Sequence, residues 1–168
     1  MCSQAHRDIQ TVVAFLTTRV KHPNEDDWGK FKGVRNYLNG TRHMKLKLTV
    51  ENMSLIRWWL DTSHDNYWDS MGHNGAMMSL GKGAIVSNSN KQKLNVNSST
   101  EGELVATHHQ MPDIMRTLYF IESQGYTIDR NIIYQDNQST IRLEVNWHIS
   151  SGKKTKHISS LFSSSLTR

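Results

Sequence analysis

The sequence predicts a protein of the α/β class, with two helices followed by a sheet that packs against further helices. Three observations lead to this prediction. Short runs rich in β-branched and aromatic residues follow Gly40, a glycine-centred hairpin signal follows these runs, and a helical repeat begins near Ser99. From residue 51 the expected order is strand, strand, strand, helix, strand, helix, strand, helix.

Composition limits the class of protein. The 168 residues suffice for one domain with a core, or for one domain and part of another. Twenty Lys and Arg residues against fifteen Asp and Glu give a net charge of +5, which suits a polyanionic partner but also simple solubility. With a single cysteine, Cys2, neither an intrachain disulfide nor a cysteine-based metal knuckle can form.

The distribution of apolar residues argues against a membrane protein. No apolar run approaches the ~20 residues needed to cross a bilayer. The first ten residues, MCSQAHRDIQ, lack the apolar stretch of a secretory signal. We therefore expect no membrane partner and an intracellular location, in the cytoplasm or the nucleus.

Residues 6–40 are predicted to form two helices. Apolar residues recur at helical spacing from Ile9 to Val20, and Pro23 should end this helix near His22. Asn24 is the cap candidate of a second helix, whose apolar stripe runs from Trp28 to Leu38 and ends at Gly40. Two helices without a third layer make a poor domain, so this segment is interpreted as the end of a larger one.

Strand signals follow. KLKLTV (45–50) alternates at period two, IRWWLD (56–61) is β-branched and aromatic, and GAMMSLGKGAIVSNS (75–89) predicts a hairpin around Gly-Lys-Gly. In IRWWLD, Trp58 and Trp59 should face opposite sides of the sheet, one in the core and one at the surface.

Helices alternate with strands in the rest of the chain. A helix from about Ser99 should be broken or kinked by Pro112. Its apolar stripe is predicted as Leu104, His108, Met111, Met115 and Leu118. NIIYQD (131–136) is predicted as a short buried strand, QSTIRLEVN (138–146) as a helix and KKTKHI (153–158) as a final strand, before a Ser-rich end.

Three acids stand where strands end or a helix begins: Asp61, Glu103 and Asp136. Taken singly, each is more simply explained as a turn or cap residue. Together they have the residue type and placement needed for metal-dependent phosphodiester hydrolysis, in which carboxylates converge on two cations about 4 Å apart. Glu103 has a competing interpretation, because Thr100 with Glu103 and Ser98 with Glu101 are both possible capping boxes.

Several stretches resemble, in order and spacing, the ribonuclease H domain of copia-type retrotransposon Pol polyproteins. They are WWLDTS, GKGAIVSNSNKQKLNVNSSTEGELVA, YQDNQSTI and KKTKHI. Upstream, RDIQTVVAFLTTRVKHPNEDDWGKFKGVRNYLNGT is similar to the closing stretch of the reverse transcriptase in the same polyproteins.

This resemblance implies a ribonuclease H-like fold with a mixed five-stranded sheet and flanking helices. Residues 1–50 would be the carboxyl-terminal remnant of a reverse transcriptase, with two helices and a strand. Residues 51–168 would be the ribonuclease H-like domain, truncated at its last helix. The expected partners are an RNA–DNA hybrid and the reverse transcriptase portion of the same polyprotein.

The resemblance also implies the chemistry. Asp61, Glu103 and Asp136 match the family's metal-binding carboxylates, which leaves Glu101 to pair with the Ser98 cap. The expected cofactor is Mg²⁺ or Mn²⁺, and the expected activity is endonucleolytic hydrolysis of the RNA strand of the hybrid. The fourth acid of the family is replaced by Ser159, which brings no charge to a hard cation. The alternatives are therefore a catalytically impaired module that binds hybrids and an integrase-like transferase, against which the upstream reverse-transcriptase-like stretch argues.

Polar residues before the Ser99 helix are candidate nucleic-acid contacts. Lys91 and Lys93 would neutralise phosphates. Short amides and hydroxyls suit the shallow minor groove and its 2′-hydroxyls; these are Asn95, Asn97, Ser98 and Ser99. A plain hydrophilic loop explains the same residues. Lys153, Lys154 and Lys156 form a second basic cluster, for which a solvated surface is the simpler explanation.

Overall fold

A computed structural model describes residues 6–63 and 67–137. A 3₁₀ turn (Arg7–Ile9) leads into helix α1 (Gln10–Thr17), and helix α2 (Glu25–Gly40) follows. The remaining elements are strands β1 (Thr49–Val50), β2 (Leu55–Ser63), β3 (His73–Ser79), β4 (Gly81–Lys82) and β5 (Val86–Lys91), helix α3 (Ser99–Ser123) and strand β6 (Arg130–Tyr134).

The main sheet of the described residues has four strands in the order β5-β3-β2-β6. Strand β3 pairs antiparallel with both β2 and β5, whereas β6 pairs parallel with β2. The parallel pair is possible because α3 makes the crossover that carries the chain from β5, at one edge of the sheet, to β6 at the other edge. The fold is therefore mixed α/β with a mixed sheet, in agreement with the predicted class.

The core lies between α3 and one face of this sheet. Strands β2 and β3 contribute alternate residues, and α3 adds Ile114 and Ile121. Trp58 is 0 % exposed whereas Trp59 is 36 % exposed, which confirms that the two rings face opposite sides. The Trp59 ring stacks on that of Tyr134 across the parallel pair, with centroids 5.3 Å apart.

The predicted hairpin is confirmed as β3 and β5, and its glycines have a steric reason. At the turn, β4 pairs with β1. A Cβ on Gly81 would lie 2.4 Å from the carbonyl oxygen of Thr49, and one on Gly83 would lie 2.4 Å from that of Lys47. Gly83 also has a φ of +81°, which side-chain-bearing residues rarely adopt. Glycine at positions 81 and 83 therefore allows residues 47–51 to lie close to the backbone of the turn.

Two sequence predictions are wrong in detail. Of the strand predicted over residues 45–50, only Thr49 and Val50 pair, because the two-residue β4 offers no longer partner. Of the predicted break or kink at Pro112, the break is absent, because α3 runs without interruption from Ser99 to Ser123.

The predicted apolar stripe of α3 is correct only in part. Leu104 is buried and Leu118 packs against the core, but the buried positions of the helix also include Glu103, Thr107 and Gln110, as well as Ile114 and Ile121. His108, placed on the stripe by its spacing, is only half-buried. Hydrophobic spacing could not find this face because polar groups occupy its first turns.

The first helix is shorter than predicted and lies against the sheet. Arg7 donates from Nη1 to Ser87 Oγ at 3.1 Å, and Gln10 donates from Nε2 to the Ser87 carbonyl at 3.0 Å. The second helix begins where predicted, with a reciprocal capping box between Asn24 and Asp27. The segment of residues 7–17 thus contacts strand β5.

Several predictions fall outside the described residues. These are the helix over 138–146, the strand over 153–158, the Ser-rich end, Ser159 and the lysines 153, 154 and 156. The main sheet of the described residues has four strands, and the predicted fifth strand lies outside them. Among the described residues, no helix is both long enough and apolar enough to span a bilayer.

Candidate metal centre

Asp61, Glu103 and Asp136 come together at one end of the sheet. One carboxylate oxygen from each lies within 4.8 Å of the other two. Asp61 and Asp136 are exposed, whereas Glu103 is 4 % exposed. The three acids, which are far apart in sequence, thus form one cluster with a buried side and an open side.

Strand register explains why the two aspartates are neighbours. The last pair of the parallel ladder is Trp59 with Tyr134. Asp61 and Asp136 each lie two residues beyond that pair, so both lie just past the same end of the parallel ladder. Asp61 has the same strand parity as the exposed Trp59, so its side chain points away from the core.

The start of α3 explains the position of Glu103. Ser98 is the N-cap, its Oγ accepting from the Glu101 backbone N–H at 3.2 Å. The Glu101 carboxylate in turn accepts from the Asn97 backbone N–H at 2.9 Å. The N-cap of α3 is therefore Ser98 and not Thr100, and Glu103 is buried in the first turns of the helix.

Close packing holds the first turn of α3 against β2. A Cβ on Gly102 would lie 3.3 Å from Thr62 Cγ2, so the helix approaches the strand nearly as closely as its backbone allows. The buried Gln92 donates from Nε2 to the Gly102 carbonyl at 3.2 Å and to Asn74 Oδ1 at 2.6 Å. Sequence reasoning missed Gln92, because a glutamine between two lysines has no pattern that predicts burial.

A second contact that the sequence did not predict joins α3 to the segment that carries Asp136. Gln135 donates from Nε2 to Thr107 Oγ1, and Thr107 Oγ1 donates to the Glu103 carbonyl at 3.0 Å. Thr107 is 1 % exposed. Thr107 and Gln135 therefore connect the backbone of Glu103 to the residue that precedes Asp136.

Carboxylate oxygens are the ligand type that a hard divalent cation prefers. Oxygens that share a Mg²⁺ bind at about 2.0–2.1 Å, so two of them lie up to roughly 4.2 Å apart. The 4.8 Å span is close to that value. Three carboxylates at such separations repel one another, and a cation would offset that repulsion.

The residues predicted to contact nucleic acid differ in exposure. Lys93, Asn95, Asn97, Ser98 and Ser99 are all exposed. Lys91 instead forms an ion pair with Asp69 and lies 4.7 Å from the Tyr67 ring centroid. The hydrogen bond from Lys91 holds the pKa of Asp69 below its usual value. Lys91 is therefore partly engaged within the protein.

A buried histidine lies near the cluster, on the side of α1. His73 Nδ1 is 2.7 Å from Tyr67 Oη, and Nε2 is 2.7 Å from Ser89 Oγ, which donates to Thr11 Oγ1 at 3.3 Å. Burial lowers the pKa of His73. A cleft of about 360 Å³ is lined by His73, Asp61 and α1 residues.

Comparison with known proteins finds one distant similarity. The chain is 26 % identical over 157 residues to the "Retrovirus-related Pol polyprotein from transposon TNT 1-94" of Nicotiana tabacum. The match covers 90 % of this chain and 11 % of that polyprotein. No protein-family model matches, and no solved structure matches. The similarity supports a relationship to a region of a retrotransposon Pol polyprotein.

Proposed function

We propose that this chain is a metal-dependent endoribonuclease that hydrolyses the RNA strand of RNA–DNA hybrids within a retrotransposon Pol polyprotein. The observation that carries the proposal is the convergence of Asp61, Glu103 and Asp136 within 4.8 Å. The similarity to a retrotransposon Pol polyprotein agrees with a nucleic-acid substrate. The mixed α/β arrangement of the described residues is compatible with the proposal.

The proposal gives each side chain a role. Asp61 and Asp136, on the open side, hold Mg²⁺ or Mn²⁺ where a phosphodiester can reach it. Glu103, held by the packing of α3, completes the ligand set from the buried side. A cation bound there would supply the Lewis acidity that phosphodiester hydrolysis requires. The exposed amides and hydroxyls of residues 95–99 contact the minor groove, and Lys93 contacts phosphate.

The alternative is a module that binds hybrids without cutting them. The observation that favours it is Ser159, which stands where the related domains carry a fourth carboxylate. A hydroxyl brings no charge, so cation affinity would be lower. Under this alternative the three clustered acids still bind a cation, but turnover is lost.

A nicking assay on a hybrid with a labelled RNA strand tests the proposal. Cleavage should require Mg²⁺ or Mn²⁺, stop in EDTA, and fall by at least about a hundredfold in Asp61→Asn and Asp136→Asn, because each removes a charged ligand. The matched control is Asp129→Asn, which removes an exposed acid just before β6 and should cleave normally. Calorimetric titration with Mn²⁺ gives a second readout of the same ligands without turnover.

The outcomes separate the two functions. Metal binding that Asp61→Asn abolishes, without cleavage by the wild type, would favour the binding module. Ser159→Asp should then raise cleavage if the missing charge is the reason. Absence of both metal binding and cleavage in a folded protein would refute the proposal.

A further inference from the structure

The net positive charge of the chain is confined to its first part. Nine of the twenty Lys and Arg residues, but only four of the fifteen Asp and Glu residues, lie in residues 1–50. That stretch therefore carries the whole formal net charge of +5, and residues 51–168 are neutral overall. The candidate metal centre lies in the neutral part, so its chemistry does not account for this excess.

Helix α2 lies in this basic segment and is almost entirely solvated. Of its sixteen residues only Asp27 is buried, and only Val34 and Leu38 are half-buried. Asp27 is occupied, since Arg19 donates to its carboxylate from Nε at 3.1 Å. The acids of the helix are confined to its first turn. A neighbouring face is thus open to solvent and lacks acidic residues beyond that turn.

That open face combines aromatic rings with cations. We call it the basic–aromatic face; its residues are Trp28, Phe31, Lys32, Arg35, Asn39 and, just past the helix, Arg42. The first five recur at intervals of one, four or three residues and so share one side of the helix. Arg35, Asn39 and Arg42 line a shallow pocket of about 450 Å³.

The two rings are exposed although they are large and apolar. Trp28 is 53 % exposed and Phe31 is 48 % exposed. Their centroids are 5.4 Å apart at an interplanar angle of 17°, and Lys32 Nζ lies 5.5 Å from the Trp28 centroid. Within the part of the chain that the structure describes, neither Arg35 nor Arg42 forms an ion pair.

We propose that the basic–aromatic face binds single-stranded nucleic acid, separately from the metal centre. Proteins bind single strands by combining a basic track for phosphates with aromatic rings on which bases stack. A duplex would engage the arginines but keep its bases stacked inside, so exposed rings favour a single strand. The basic segment continues from Arg42 through the exposed Lys45 and Lys47, which extends the track.

Fluorescence anisotropy with a labelled oligo(dT) strand tests the proposal on the full chain. EDTA is present throughout, so the metal centre and its proposed activity do not contribute. In Arg35→Ala/Arg42→Ala the slope of log affinity against log salt should shrink by about 1.4, since each phosphate contact on a single strand contributes roughly 0.7. In Trp28→Ala/Phe31→Ala affinity should fall at least about fivefold while the slope stays nearly constant, because no charge is lost.

A control variant with the same change in charge makes the result decisive. Arg116→Ala/Arg130→Ala removes the same charge from exposed positions on α3 and β6, and should keep wild-type binding. If this control loses as much oligo(dT) affinity as the arginine variant does, the net charge of the chain explains the binding, and the proposal is overturned. Unchanged oligo(dT) binding in both face variants would also overturn it. So would a result in which the face variants bind oligo(dT) normally and lose only the ability to bind phosphatidylserine vesicles. Loss of hybrid cleavage in Asp61→Asn with intact oligo(dT) binding would leave the proposal standing, because the two sites are separate.

Discussion

Gln135 and Thr107 share a hydrogen bond that joins the segment after β6 to the interior of α3. Thr107 lies one helical turn after Glu103, and Gln135 directly precedes Asp136. The bond therefore fixes the relative position of two candidate ligands that are more than thirty residues apart in sequence. Thr107 also donates to the Glu103 carbonyl, so its hydroxyl is used as both donor and acceptor.

Replacing this hydroxyl should weaken both metal binding and the fold. Thr107→Val keeps the shape of the side chain but leaves the Gln135 amide without its acceptor. The cost to stability should be about 1–3 kcal/mol, as for a buried unsatisfied group. Mn²⁺ affinity should fall about tenfold, because outer contacts orient ligands. Calorimetric titration measures the affinity and urea unfolding the stability; Thr107→Ser, which restores the hydroxyl, should recover the affinity.

Removing one clustered acid should have opposite effects on stability with and without metal. In EDTA, Asp61→Asn relieves repulsion within the cluster and should stabilise the fold slightly, by less than about 1 kcal/mol. With Mg²⁺, the wild type should gain stability by mass action, whereas the variant should gain much less. Thermal unfolding in both buffers measures the difference. A wild type that unfolds at the same temperature with and without saturating Mg²⁺ would contradict a cation site there.

Stability should fall as the pH drops below the ordinary pKa of histidine, and His73 should account for part of the loss. Its pKa is lowered in the folded state by burial, from an ordinary 6.5. The unfolded chain therefore takes up this proton at higher pH than the folded chain does. The contribution of His73 is complete above about pH 6.5 and is lost on acidification, by up to ~1.4 kcal/mol per pH unit.

Urea unfolding between pH 7.5 and 5 measures this loss. His73→Asn cannot titrate in that range and should flatten the dependence, whereas His109→Asn, at an exposed position, should not. The carboxylates with lowered pKa, such as Asp69, act in a separate and more acidic window. A dependence that is the same in His73→Asn and in the wild type would exclude His73 as its source.

Gly83 should be intolerant of any side chain. Gly83→Ala places a Cβ 2.4 Å from the Lys47 carbonyl oxygen at a φ of +81°. We expect a loss of about 1–3 kcal/mol in the free energy of unfolding, from strain and from separation of residues 47–51 from the turn. Gly33→Ala is the control, because nothing lies within 4 Å of its added Cβ. It should be neutral or slightly stabilising, since alanine favours helix.

The sequence by itself determined the local elements. The alternation in IRWWLD predicted that Trp58 and Trp59 face opposite sides of the sheet, and Asn24 marked the start of α2. These features depend on neighbours within a few residues, so period and capping chemistry are enough to predict them. The three acids also stood out in the sequence, but the family resemblance was needed to separate Glu103 from a capping role.

Only the tertiary structure decided how these elements meet. The parallel register of β2 and β6 places Asp61 beside Asp136, and no local pattern encodes it because some seventy residues separate the two. The polar buried face of α3 and the roles of Gln92, Thr107 and Gln135 were likewise invisible. A polar side chain becomes worth burying only when a distant partner supplies its hydrogen bond, and that partner is fixed by the folded topology rather than by the residues on either side.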